Sequence, residues 1–232
     1  MRLAICALAF ISQFAHVCAQ TNPADGDGDK WFEEDIEEQA RQVNEGALHF
    51  LSQAPEASNS HALENQIHIS ATSLKDHWVK IRQCHTQLDP VAQSQIVYRY
   101  QHMRNLHIEQ HQAIGKAWVE GQSVQMEDLQ PGAKICVRVE AQIFQPTQIE
   151  GKDAFILTNG PFYRKFLDGY YPFHLQFTID YPANLLRFDS SRPEPQAGVN
   201  VTVSPGRLHF DIWFEGELST AILFQPLKIT KP

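Results

Sequence analysis

From residue 66 onward, apolar and polar positions alternate with a period of two, which is the spacing of a strand with one buried face. The alternation is clearest over 134–144, where Ile135, Val137, Val139, Ala141 and Ile143 face one way and Arg138, Glu140 and Gln142 face the other. It returns at 207–214, where Leu208, Phe210, Ile212 and Phe214 oppose His209, Asp211 and Trp213. The same pattern predicts strands at 66–71, 77–84, 94–100, 105–111, 114–119, 154–158, 173–180, 199–203, 207–215 and 218–224, with 134–144 among them. One-sided alternation favours antiparallel sheets with a wet face. Many short strands joined by Pro/Gly turns favour a sandwich or a barrel. The expected fold is therefore all-β: antiparallel and sandwich-like, preceded by one N-terminal α-helix.

Turns are expected at Gln130-Pro131-Gly132, at Ser204-Pro205-Gly206 and at Glu215-Gly216-Glu217, the last as a tight hairpin. The polar run 145–153 carries Pro146 and Gly151. It divides the sheet-forming part into a first β unit, 66–144, and a second, 154–230. Two sandwich-like halves and one continuous β domain both fit this division.

The helix is expected over 30–53. Trp31, Ile36, Ala40, Val43, Ala47, Phe50 and Leu51 recur at spacings of three to five, and Glu33, Glu34, Asp35, Glu37 and Glu38 crowd its first turns, where negative charge suits the helix dipole. Gly46 weakens it and Pro55 ends it. Before it, residues 20–29 form a polar acidic leader. Asp25, Asp27 and Asp29 imitate the start of a calcium loop, but Lys30 and Ile36 stand where that loop needs Gly and Glu. The leader reads instead as a linker ending in an N-cap at Asp29.

The first nineteen residues read as a secretory signal. Arg2 supplies the positive start, Leu3 to Phe14 the apolar stretch, and Val17-Cys18-Ala19 the cleavage site. The apolar run is shorter than the roughly 20 residues a membrane span needs, and no later stretch is long enough either. Val17 before Cys18 argues against a lipoprotein. The expectation is a bacterial-type envelope protein exported to the periplasm.

The formal net charge is -8. An acidic surface disfavours nucleic acid and anionic headgroups as partners. Cys6 and Cys18 leave with the signal, so Cys84 and Cys136 remain as an even pair in an oxidising compartment, where a disulfide is expected. Alternation puts Cys84 with Lys80 and Arg82, and Cys136 with Arg138 and Glu140. Both cysteines thus lie on polar faces. A bridge between antiparallel neighbours then sets Arg82 opposite Arg138, an unfavourable like-charge pair.

Chemistry-bearing patterns are few. There is no Gly-x-Ser-x-Gly elbow, no Gly-rich phosphate loop, no His-Glu-x-x-His and no haem-attachment pair, since residue 81 is Ile. His107, Glu109 and His111 share one face of a regular strand and offer imidazole and carboxylate ligands for Cu or Zn, with His102 or His85 as a further ligand. A copper site using Cys84 or Cys136 with histidines is the variant of this idea. The most distinctive stretch is 159–174, in which Phe162, Tyr163, Phe166, Tyr170, Tyr171 and Phe173 surround Arg164, Lys165 and Asp168. Such aromatics either fill a seam between sheets or form a platform for a sugar or peptide. Phe162, Tyr163, Arg164, Phe166, Asp168, Tyr170 and Tyr171 are the candidate binding surface. The leading expectation is a non-catalytic module that binds an envelope protein or glycan without a cofactor. The alternatives are a metal-binding protein and a hydrolase without a recognisable motif.

Overall fold

The computed structural model describes residues 44–52, 61–167 and 169–227. The signal, the acidic leader and residues 30–43 of the expected helix lie outside the described residues, as does Asp168. The remainder is all-β, with two sheets, a short ribbon and a single helical turn.

The larger sheet takes β1 (His49–Phe50), β2 (Ala62–His68), β3 (Val79–Leu88), β4 (Gln93–Val97), β5 (Met103–Glu120), β6 (Ser123–Ala141), β11 (Phe173–Asp180), β13 (Val199–Ser204) and β14 (Arg207–Glu215). Its path runs β1-β14-β11-β2-β3-β6-β4, with β13 also on β14 and β5 also on β6. The smaller sheet has the order β12-β15-β8-β7, from β7 (Phe144–Ile149), β8 (Lys152–Phe162), β12 (Leu186–Arg192) and β15 (Leu218–Pro226). A two-stranded ribbon, β9 (Arg164–Phe166) with β10 (Gly169–Tyr171), stands apart from both. The helical turn α1 (Ser73–Asp76) joins β2 to β3.

All pairings but one are antiparallel; β2 and β11 run parallel. That pair joins strands from before and after 145–153 within one sheet, and 145–153 itself forms most of the β7–β8 hairpin, turning at Glu150-Gly151. The alternation read from the sequence is visible as burial. Leu175, Phe177 and Ile179 of β11 and Leu208, Phe210, Ile212 and Phe214 of β14 are buried, and they share one core with Phe144, Leu157, Ile222 and Phe224 of the smaller sheet. The partners on the opposite face, such as Gln176, Asp211 and Trp213, remain partly exposed. Burial of a Phe or Leu in such a core is worth roughly 1.5–3 kcal/mol each.

Three local expectations are corrected. Residues 44–52 are not helical: Gly46 takes φ +115, and His49 and Phe50 pair with Glu215 and Phe214 at the edge of β14. An available strand edge outweighs the weak helical stripe that Ala47, Phe50 and Leu51 suggest. Gln130-Pro131-Gly132 does not reverse the chain. It lies inside β6, where partners jump from Lys134 to Leu129 as β5 advances from Gln112 to Ile114. Pro131 and Gly132 (φ +80) are thus absorbed as an irregularity, one of the few places a long strand accepts proline. Glu215-Gly216-Glu217 is not a hairpin either, because β14 and β15 belong to different sheets. Gly216 (φ +86) carries the chain from one sheet to the other, and a side chain there would run into the Ala47 carbonyl oxygen. Ser204-Pro205-Gly206 does make the expected two-residue turn, with Ser204 paired to Arg207.

Cys84 and Cys136 form a disulfide between directly opposed positions of β3 and β6. The register that sets them opposite also sets Arg82 opposite Arg138, as the alternation requires.

Candidate functional site

The polar face of β3 and β6 explains the expected metal ligands first. Glu109 sits between the two arginines. Arg82 Nε donates to its Oε2 at 2.6 Å, and Arg138 donates through Nη2 (2.6 Å) and Nε (2.9 Å) to its Oε1. These bonds, that of Arg138 first, hold the Glu109 carboxyl below its ordinary range. β5 has one extra residue at this point, since Ile108 pairs with Val137 and Gln110 with Cys136. A one-residue slip reverses the alternation. His107 therefore pairs with Arg138 on the polar face, while His111 pairs with Ile135, whose side chain points into the core. The bulge divides the two imidazoles that a regular strand would bring together. His85 is on the core side of β3, and both cysteines are spent in the disulfide. Among the described residues no group of three or more His, Cys, Asp or Glu side chains is arranged to hold a metal ion.

The aromatic segment leads elsewhere. β8 ends at Phe162, the chain turns into the β9–β10 ribbon, and β11 begins at Phe173. Phe162 and Phe173 are buried, as seam-filling aromatics should be. Tyr163, Arg164 and Lys165 border a cavity of about 460 Å³. Phe166, Leu167 and Tyr171 project outward, at 52%, 80% and 41% exposure. Tyr170 is an anchor: its N–H donates to the Asn44 carbonyl (3.0 Å), its hydroxyl donates to Glu217 (2.7 Å), and its ring meets Tyr163 edge-on. Of the candidate surface, Phe162, Tyr163 and Arg164 meet at the cavity, Tyr170 ties the ribbon down, and Phe166 and Tyr171 form its outer face.

The cavity is walled by β2, β3, β4, β8 and the ribbon. Its inner end is polar. Gln83 and His85 continue the inward phase of Val79 and Ile81, so two hydrogen-bonding side chains stand where the pattern calls for apolar ones. His61 Nε2 and His85 Nδ1 share a hydrogen bond of 3.0 Å. Burial, then the nearby Arg164 cation, pushes the His61 imidazole down to about 3; burial, then His61, holds His85 well below the ordinary value. Both rings are thus neutral at physiological pH. The Tyr100 hydroxyl donates to Asn159 Oδ1 at 2.9 Å, and the Gly160 N–H donates to the same oxygen at 2.9 Å. Burial raises the Tyr98 and Tyr100 hydroxyls far above their ordinary value, so both stay protonated.

Three residues that line the cavity each carry a buried polar atom with no hydrogen-bond partner among the described residues: His85 through Nε2, Tyr98 through its hydroxyl and Asn159 through Nδ2. Buried polar groups are satisfied in the great majority of cases, and leaving one unmade costs roughly 1–3 kcal/mol.

The rim carries charge. Arg164 makes a two-pronged pair with Asp89, Nε to Oδ2 at 3.0 Å and Nη2 to Oδ1 at 2.5 Å. Arg99 donates to the Tyr163 hydroxyl at 3.1 Å, and Lys165 lies over the Tyr170 ring at 5.0 Å. Sequence reasoning found the ribbon but missed His61, Tyr98, Tyr100 and Asn159. The signal available was phase: Asn65, Gln83 and His85 each interrupt an apolar face. Comparison with protein-family models and with curated proteins returns no match.

Proposed function

We propose that this chain is an exported, non-catalytic binding module of the cell envelope, and that its recognition site is the cavity beside the β9–β10 ribbon. The observation that carries the reading is one cavity whose lining combines the neutral polar side chains of Gln83, His85, Tyr98 and Asn159 with the cations Arg99, Arg164 and Lys165. A concave site with apolar and aromatic walls and a few placed polar groups is the usual form of a small-molecule site, and about 460 Å³ is within the range of such sites. It also suits a terminal sugar or residue of a larger envelope component. The Cys84–Cys136 disulfide supports an oxidising compartment, in keeping with the signal-like first nineteen residues.

A thermal-shift screen of small polar molecules, run on the full chain and on Tyr98→Phe, tests the reading. A ligand of the cavity raises the midpoint of the parent and raises that of Tyr98→Phe less, because the variant lacks one polar group of the lining. If every stabilising molecule acts equally on both, those molecules do not bind in the cavity.

A further inference from the structure

The chemistry of the site narrows what it takes, an inference that rests on the cavity reading above. We infer that the cavity binds a small hydroxylated carboxylate of single-ring size, which enters with its uncharged hydroxyl end first and leaves its carboxylate at the rim. Away from the charged rim, the polar side chains of the lining are neutral: His61, Gln83, His85, Tyr98, Tyr100 and Asn159. A charge buried there would have no counter-charge and would be expelled. A hydroxyl both donates and accepts, so it suits a lining of neutral amide, phenol and imidazole groups. The walls include the Tyr98 and Tyr100 rings, 6.0 Å apart, with Phe162 and Met126. They suit the flat apolar face of a ring.

The rim selects sign. Among the described residues that line the cavity, Arg99, Arg164 and Lys165 are cationic and Asp89 is the one carboxylate. Asp89 is engaged by Arg164, which leaves the Arg99 and Lys165 cations as the excess. This excess occurs in a chain of net charge -8, so the rim is locally opposite in sign to the molecule. A local positive rim on a negative protein draws an anion to the opening and holds it there. One ring carboxylate is a sugar acid; the other is a hydroxylated aromatic acid. Their shared feature is a hydroxyl opposite or remote from the carboxylate.

Met126 is buried on the cavity wall and reports occupancy. Met103 is outside the cavity lining and serves as the internal control. The experiment is a titration of methyl-¹³C-methionine protein followed by NMR, with the Met126 signal assigned by Met126→Leu. The probes are glucuronate and 4-hydroxyphenylacetate, each beside its neutral counterpart, glucose and 4-methylphenol. At least one acid should shift Met126 saturably, leave Met103 in place, and bind about tenfold more tightly than its neutral counterpart. Which acid does so identifies the ring type. In Arg99→Gln/Lys165→Gln the acid should fall to the affinity of the neutral molecule, whose own binding stays unchanged. Neutral counterparts that bind as tightly as the acids, or an acid indifferent to the double substitution, overturn the inference and leave the cavity reading standing. If no probe, charged or neutral, moves Met126, the cavity reading falls with it.

Discussion

Arg82 and Arg138 face each other across β3 and β6, and the Glu109 carboxylate bridges them with three hydrogen bonds of 2.6–2.9 Å. The like-charge pair follows directly from the register that closes the Cys84–Cys136 disulfide two pairs away, on the far side of Gln83 and Val137. The counter-ion comes from the neighbouring strand, through a bulge that turns Glu109 toward the same face. A residue that looks like a metal ligand in the sequence thus holds two arginines together.

Replacing Glu109 with Gln should lower the unfolding midpoint, because two guanidinium groups then repel each other without a carboxylate between them. Arg138→Gln on the same background should recover part of the loss. The deficit should shrink in molar salt, which screens exposed charges. Thermal melts of the single and double variants at low and high salt measure this; a Glu109→Gln midpoint equal to the parent's would contradict it.

Removing the disulfide as Cys84→Ser/Cys136→Ser should cost about 2–4 kcal/mol in urea denaturation, since the bridge closes a loop spanning 52 positions. A thiol assay on the denatured, unreduced protein should find no free thiol from Cys84 or Cys136. A stability within a few tenths of a kcal/mol of the parent would show that the staple contributes little.

The alternation of residues 66–224 carried most of the fold, because a single buried face per strand writes itself into period two. The limits of β11 and β14 were legible to the residue or nearly so. What the period did not reveal were events that break it. The extra residue at Glu109 is invisible in composition, yet it divides His107 from His111. Pro131-Gly132 resembles a turn locally, and only pairing with β5 and β3 shows β6 continuing through it. The crossing at Gly216 depends on which sheet β15 joins, a non-local choice. The candidate site was half legible: the ribbon is conspicuous by its aromatics, whereas the inner wall is assembled from β2, β3, β4 and β8, which are far apart in the chain.

Stability should fall on mild acidification. His61 and His85 are held neutral when folded, at about 3 for His61, whereas in the unfolded chain each titrates near 6.5. The unfolded state therefore binds more protons between these values, so stability is full above about 6.5 and is lost as pH falls toward 3. Glu109 and Glu140, held below their ordinary 4.5, add to the loss only in the lower part of that range. Urea midpoints at pH 7.5, 6 and 5 should decline, and His61→Gln/His85→Gln should flatten the decline. A parent midpoint constant across those three values would count against neutral burial of the pair.

Gly216→Ala should destabilise the chain by more than 1 kcal/mol or so, through its positive φ and the close approach of the Ala47 carbonyl. The same side chain should release residues 44–52 from the edge of β14. Hydrogen exchange at Leu51, whose N–H donates to the Trp213 carbonyl at 2.9 Å, reads this directly. Unchanged protection at Leu51 would mean the segment tolerates the added methyl group.

Tyr98→Phe separates stability from binding. Deleting a buried hydroxyl that has no hydrogen-bond partner among the described residues should leave the unfolding free energy equal or higher, by up to about 1 kcal/mol, while weakening ligand. A marked loss of stability would show that the hydroxyl serves the fold.

Native mass spectrometry of the full chain, expressed in its own source and purified gently, tests the central claim most directly. The account predicts a bound small molecule that leaves on denaturation and is reduced in the spectrum of Asn159→Leu or Tyr98→Phe. An adduct-free mass, together with an untouched Met126 signal when that source's small-molecule extract is added, would contradict a ligand-binding cavity.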